Sequence, residues 1–152
     1  VAGVARDVSA AAAAAKAGRL ADASAALSRA PTGEKAFKRL FDEYSLDVSY
    51  KQRYKDSNAF LVYYTQGFDG ANRPGIEATD PLEELQTKQF GFRNDVWAAF
   101  DDSRAEVQFL VSEGSGDTKD LLSMLARADA ALSAYLGLAP PADLAAARAA
   151  LR

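Results

Sequence analysis

Apolar side chains recur along this chain every third or fourth residue, the spacing of amphipathic helices, in runs punctuated by glycine and proline. The first stripe is Val4, Val8, Ala11 or Ala12, and Ala15. Leu20 and Leu27 do not continue it. At 100° per residue Leu20 sits about 160° round from Val4. Gly18 stands at this change of phase and reads as a helix end. The pattern predicts two short helices, over about 4–17 and 19–29, the second ended by Pro31, with Thr32 as N-cap of the next.

From Lys35 the stripe is Phe37, Phe41, Tyr44 and Val48. Continued, it would turn Lys51 and Lys55 toward the core. A second stripe starts instead with Tyr50, Tyr54, Ser57, Leu61 and Tyr64, so the helix is expected to kink, overwind or break near Val48–Tyr50. Asn58–Phe68 is aromatic enough for a strand, but no partner strand is evident, and helix is favoured. Turn chemistry marks Gly67–Gly75 as a loop that runs on to Asp80.

Asp80-Pro81 then opens a long helix, with Asp80 as cap, Pro81 in the first turn and Glu83 as capping-box partner. Its stripe is Leu82, Leu85, Phe92, Val96, Phe100, Val107 and Leu110, reaching about Ser112; Gly91 interrupts it, which suggests close packing. Gly114-Ser115-Gly116 ends it, and Asp117 caps a helix striped by Leu121, Leu125, Leu132, Tyr135 and Leu136. Gly137 and Pro140-Pro141 stop that one, and a last short helix covers about 142–151. Beta-branched residues are sparse, which argues against a large sheet. The expectation is one all-α domain over 1–152, an up-down helical bundle with extra short terminal helices.

Composition narrows the chemistry. Of 152 residues 49% are hydrophobic and 26% charged, the balance of a globular chain. The net charge of −3 is not that of a nucleic-acid binder. The chain has no cysteine and no histidine. That excludes disulfides, cysteine nucleophiles, histidine bases and histidine metal ligands. The longest central apolar run, Ala59–Tyr64, is far short of a membrane span. A chain that begins at Val1 is expected to be a processed or trimmed product.

Three constellations invite a functional reading. Asp95, Asp101, Asp102 and Glu106 share the long helix; Asp102 and Glu106 are four apart and could chelate a cation, although a solvated acidic face is the expected reading. Asp69–Asp80 lacks the spacing of an EF-hand and Gly67–Gly75 the lysine of a P-loop, and the loop reads as a structured or partner-binding connection. Lys51, Arg53 and Lys55 lie among Tyr50 and Tyr54, flanked by Asp47 and Asp56. Weak charge on an acidic chain favours a solvated or protein-docking face over RNA binding. Loss of the core stripe, a long loop and interface-favoured side chains together nominate Lys51, Lys55, Tyr63 and Arg73 as partner contacts. No catalytic, metal or cofactor site is expected.

The stretch Asp42-Glu43-Tyr44 to Val48, then Tyr50-Lys51-Gln52-Arg53-Tyr54-Lys55-Asp56-Ser57-Asn58-Ala59-Phe60-Leu61-Val62-Tyr63-Tyr64-Thr65-Gln66-Gly67-Phe68-Asp69-Gly70, resembles a thylakoid-lumen family named for maintenance of photosystem II under high light. Arg73-Pro74-Gly75-Ile76-Glu77 and Gln89-Phe90-Gly91-Phe92-Arg93-Asn94-Asp95-Val96-Trp97-Ala98-Ala99 are similar to it as well. The helix pattern is more distantly similar to the PsbQ-like four-helix bundles. The resemblance implies a chloroplast protein of the thylakoid lumen, its targeting peptides removed and itself without catalytic activity. It would meet the membrane only through photosystem II lumenal subunits or the core complex, and would act in assembly or repair, as a monomer. The alternative is a generic helical adaptor or structural bundle outside the photosystem.

Overall fold

The structure is a computed structural model that describes residues 1–46, 81–114 and 116–149. It is all-α: 80% helical, with six helices and no strand among the described residues. They are α1 (Ala2–Lys16), α2 (Leu20–Leu27), α3 (Glu34–Asp42), α4 (Pro81–Glu113), α5 (Lys119–Leu136) and α6 (Pro141–Ala149). The central helix α4, at 33 residues, is about 50 Å long. It packs on α5, α2 and α3, while α1 packs on α2 and α5.

Glycine ends two helices as the sequence suggests. Gly18 adopts a left-handed φ of 71°. The Gly18 amide bonds to the Ala15 carbonyl at 3.0 Å and the Arg19 amide reaches back to Ala14 at 2.9 Å. Both orphan carbonyls are thereby satisfied in a Schellman turn. Gly114, at φ 72°, follows the end of α4.

The core joins every helix from α1 to α5. Val4, Val8 and Ala11 meet Leu27, Phe37, Phe41, Val96, Phe100, Val107, Leu121, Leu125 and Leu132, all buried. Phe37 is the aromatic hub, with ring centroids 5.5 Å from Phe41, 5.2 Å from Trp97 and 5.0 Å from Phe100. Full burial of each such side chain contributes about 1.5–3 kcal/mol.

Several expectations need correction. Helix α2 stops at Leu27, well before Pro31. The amide that would close on the Leu27 carbonyl in a continuing helix belongs to residue 31, and proline has none. Thr32 is not a cap: α3 starts from Gly33, without a side-chain cap bond, and the Phe37 amide bonds to the Gly33 carbonyl at 2.9 Å. Tyr44 leaves the core stripe and is 71% exposed, because α3 ends at Asp42. The Phe41 carbonyl is taken by the Tyr44 amide at 2.9 Å, in a tighter turn. Leu82 also lies outside the core, half exposed. A Cβ on Gly91 would meet nothing within 4 Å, so close packing is not its reason. The N-cap of α5 is Thr118, although the Asp117 carboxylate does accept the Lys119 amide at 2.9 Å. Helix α6 takes Pro141 as its first residue. The kink at Val48–Tyr50, the Asn58–Phe68 segment, the Gly67–Gly75 loop and the Asp80 cap lie outside the described residues.

Candidate functional site

The end of α3 delivers the chain to the region carrying the nominated contacts, and it is heavily tied. Two glutamines one turn apart on α4 hold the Leu46 backbone. The Leu46 amide donates to Gln89 Oε1 at 2.9 Å, and the Gln86 amide nitrogen donates to the Leu46 carbonyl at 2.7 Å. Gln89 is buried. A residue outside any helix thus has both of its backbone polar groups satisfied by side chains.

Next to it, the Arg93 guanidinium donates to the Asp42 carboxylate and, at 3.3 Å, to Asn94 Oδ1. The same guanidinium lies 4.5 Å from the centre of the Phe90 ring, a cation–π contact. From α5, the Tyr135 hydroxyl donates to the Phe41 carbonyl at 2.8 Å and lies 3.0 Å from Ser45 Oγ. Burial pushes the Tyr135 hydroxyl pKa above the usual tyrosine value, partly offset by the Ser45 hydrogen bond. Neutral donors and one ion pair make this a fastening.

The second polar centre is Arg104, which stands between Asp102 and Glu106 in the sequence. It is 8% exposed. Its Nε and Nη2 donate to the Leu27 carbonyl at 3.1 and 2.9 Å, its Nη1 to the Pro31 carbonyl at 2.8 Å, and its Nη2 also to the Ala30 carbonyl. These include the acceptor that Pro31 leaves orphaned. The cation sits at the C-terminal, negative end of α2, stacked 4.6 Å from the Phe100 ring centre. Burial lowers its pKa from the ordinary arginine value, with Asp101 acting the other way. Asp7 of α1 is buried as well and accepts from Arg29 at 3.1 Å, tying α1 to the same connection.

These fastenings leave a recognisable signal in the sequence. Asp7 lies three residues after Val4; Gln89 lies between Leu85 and Phe92; Ser103 and Arg104 fill the gap between Phe100 and Val107. A polar residue standing in an apolar stripe is the mark of a buried hydrogen bond.

The acidic candidates are not gathered. Asp95, Asp101 and Asp102 are exposed. Asp102 faces Arg127 across 3.9 Å, an exposed ion pair. Among the described residues no group of three potential ligands could hold a metal ion. Two shallow grooves mark the body. One, of about 480 Å³, runs between α1 and α5 past Val8, Ala12, Lys16, Leu122, Leu125 and Asp129. The other, of about 400 Å³, runs between α4 and α5 past Phe92, Asp95, Ala98, Arg127, Ala131 and Ala134. Lys51, Lys55, Tyr63 and Arg73 lie outside the described residues. Among the described residues no helix is long and apolar enough to cross a membrane. Comparison of the chain with protein-family models, curated proteins and solved structures finds no match.

Proposed function

We propose that this chain is a non-catalytic accessory protein of the chloroplast thylakoid lumen that binds photosystem II and supports its assembly or repair under high light. The observation behind the reading is the sequence itself: the aromatic and basic run Tyr50–Tyr64, the glycine-rich turn after it and the Gln89–Ala99 segment resemble the family named for that role. The all-α architecture is compatible with it. In this reading α1, the broken arm α2–α3, α4 and α5 are the four arms of an up-down bundle of PsbQ type. The buried polar side chains described above serve the body, and the contacts proposed for recognition are Lys51, Lys55, Tyr63 and Arg73.

The test is a pull-down from detergent-solubilised thylakoids with the tagged chain as bait, read by mass spectrometry. Enrichment of photosystem II lumenal or core subunits over a scrambled-surface control is the expected outcome. Retention of unrelated proteins only, together with loss of the chain from gently washed thylakoids, would instead mark a helical adaptor outside the photosystem.

A further inference from the structure

Phe109 is 58% exposed on the long helix α4, although Val107 and Leu110 beside it are buried. At 100° per residue Asp95, Asp102, Glu106 and Glu113 all fall within about 60° of it, on one side. From Asp95 to Glu113 this strip of carboxylates runs about 27 Å along the helix, too far to gather round one ion. Among the described residues its one ion pair is Arg127 with Asp102, exposed and 3.9 Å apart.

Folding does not ask for these residues. Asp102 and Glu106 are like charges four apart, which weakens a helix. Glu113 is the last residue of α4, at the negative end of the helix dipole, and no basic residue stands in that turn. More than half of Phe109 stays in water, where its ring adds little to the stability of the body. Features on one face that work against folding mark a surface kept for another purpose.

We propose that this face of α4 docks a basic segment of a partner protein. An apolar side chain of that segment covers Phe109, and its lysines or arginines run along the carboxylates. The arrangement is that of an interface, with an aromatic at the centre and charge at the rim. Charge complementarity selects the occupant. The strip repels an acidic peptide and an anionic lipid surface. A second copy of this chain, with a net charge of −3, brings more acid than base. The face is opposite in sign to Lys51, Lys55 and Arg73, and the proposal does not rest on the photosystem reading.

Fluorescence anisotropy of synthetic helical peptides titrated with the full chain tests it. One peptide carries lysine on one face and leucine on the other. In a second, serine replaces the leucine, and in a third, glutamate replaces the lysine. The lysine–leucine peptide should bind at least about tenfold tighter than either control, and more weakly as salt rises. Phe109→Ala should weaken it about fivefold or more, and Asp102→Asn with Glu106→Gln and Glu113→Gln about tenfold, with helix content unchanged. Asp22→Asn with Glu34→Gln and Asp143→Asn removes as much charge from exposed positions on other helices and should bind like wild type. An equal loss in that matched variant would reduce the effect to net charge. Wild-type binding by Phe109→Ala and by the face variant would place the peptide elsewhere. Either result overturns the proposal. So would self-association of the chain, seen by sedimentation and abolished by Phe109→Ala, which would make the occupant a second copy.

Discussion

Tyr135 and Phe41 meet twice, once through their rings and once through the backbone. The rings lie edge to face, 5.0 Å apart and 83° inclined, while the Tyr135 hydroxyl donates to the Phe41 carbonyl at 2.8 Å. One side chain from α5 thus both covers the last core aromatic of α3 and adds a donor to a carbonyl that also accepts from the Tyr44 amide and the Ser45 hydroxyl. Tyr135→Phe keeps the ring and removes the bond, at a cost of about 1–2 kcal/mol near neutral pH.

That cost should depend on pH in a definite direction. Burial holds the Tyr135 hydroxyl above its ordinary value. As pH rises, the unfolded chain sheds this proton first, from about pH 10. The stability contributed by the neutral hydroxyl is complete below that point and declines as pH climbs toward the folded-state pKa. Urea titrations at pH 8 and 11 should therefore show the gap between wild type and Tyr135→Phe narrowing. A gap that stays constant would show that the hydroxyl gains nothing from its burial.

Arg104 should be among the most sensitive positions in the chain. Arg104→Met leaves the Leu27, Ala30 and Pro31 carbonyls without their charged donor, which should cost about 3 kcal/mol or more. For a chain of this size the melting temperature should drop by roughly 6–12 °C. Arg104→Lys keeps the charge but loses the planar fork, and should recover less than half of the loss. Thermal melts of the three proteins decide the matter.

Two glycines should respond to alanine with opposite sign. Gly18→Ala forces a side chain into a left-handed turn and should destabilise by about 1 kcal/mol. Gly91→Ala lies inside α4 with open space around the new methyl and should stabilise by about 0.5–1 kcal/mol. Denaturant midpoints measure both.

Charge reversal at Lys51 plus Lys55, and separately Arg73→Ala, should weaken thylakoid binding severalfold while helix content and melting stay at wild-type values. Added salt should weaken binding in the same direction. Between about pH 7.5 and 6 this chain's own contribution should change little, because it has no histidine and reference carboxylates titrate near pH 4. Binding by both variants at wild-type strength, with loss on altering exposed residues of α1 or α6, would move the docking surface elsewhere.

The elements themselves were legible because their signals are local. The phase change at Leu20, the glycines at 18 and 114 and the stripe Val96, Phe100, Val107 and Leu110 each depend on near neighbours, and each matches the described structure. The partners of the buried polar side chains were not, because they lie far off in sequence. Arg104 stands beside Asp101 and Asp102, and nothing nearby says that its acceptors are the carbonyls at 27, 30 and 31. Tyr44 misled for a related reason: its spacing from Phe41 is helical, but the competition for the Phe41 carbonyl involves a tyrosine 94 positions later. The nominated contacts Lys51, Lys55, Tyr63 and Arg73 follow from sequence alone.

The missing amide of Pro31 couples two distant positions, 31 and 104. While proline stands there, the Leu27 carbonyl depends on a guanidinium supplied from residue 104. Were residue 31 to regain an N–H, α2 could run on toward α3, and the arginine would become a buried cation with fewer acceptors to face. A lineage could reach either solution, a broken arm with its arginine or a continuous arm with an apolar residue at 104. The single steps between them are the disfavoured ones, so the break in this arm should be inherited as a pair.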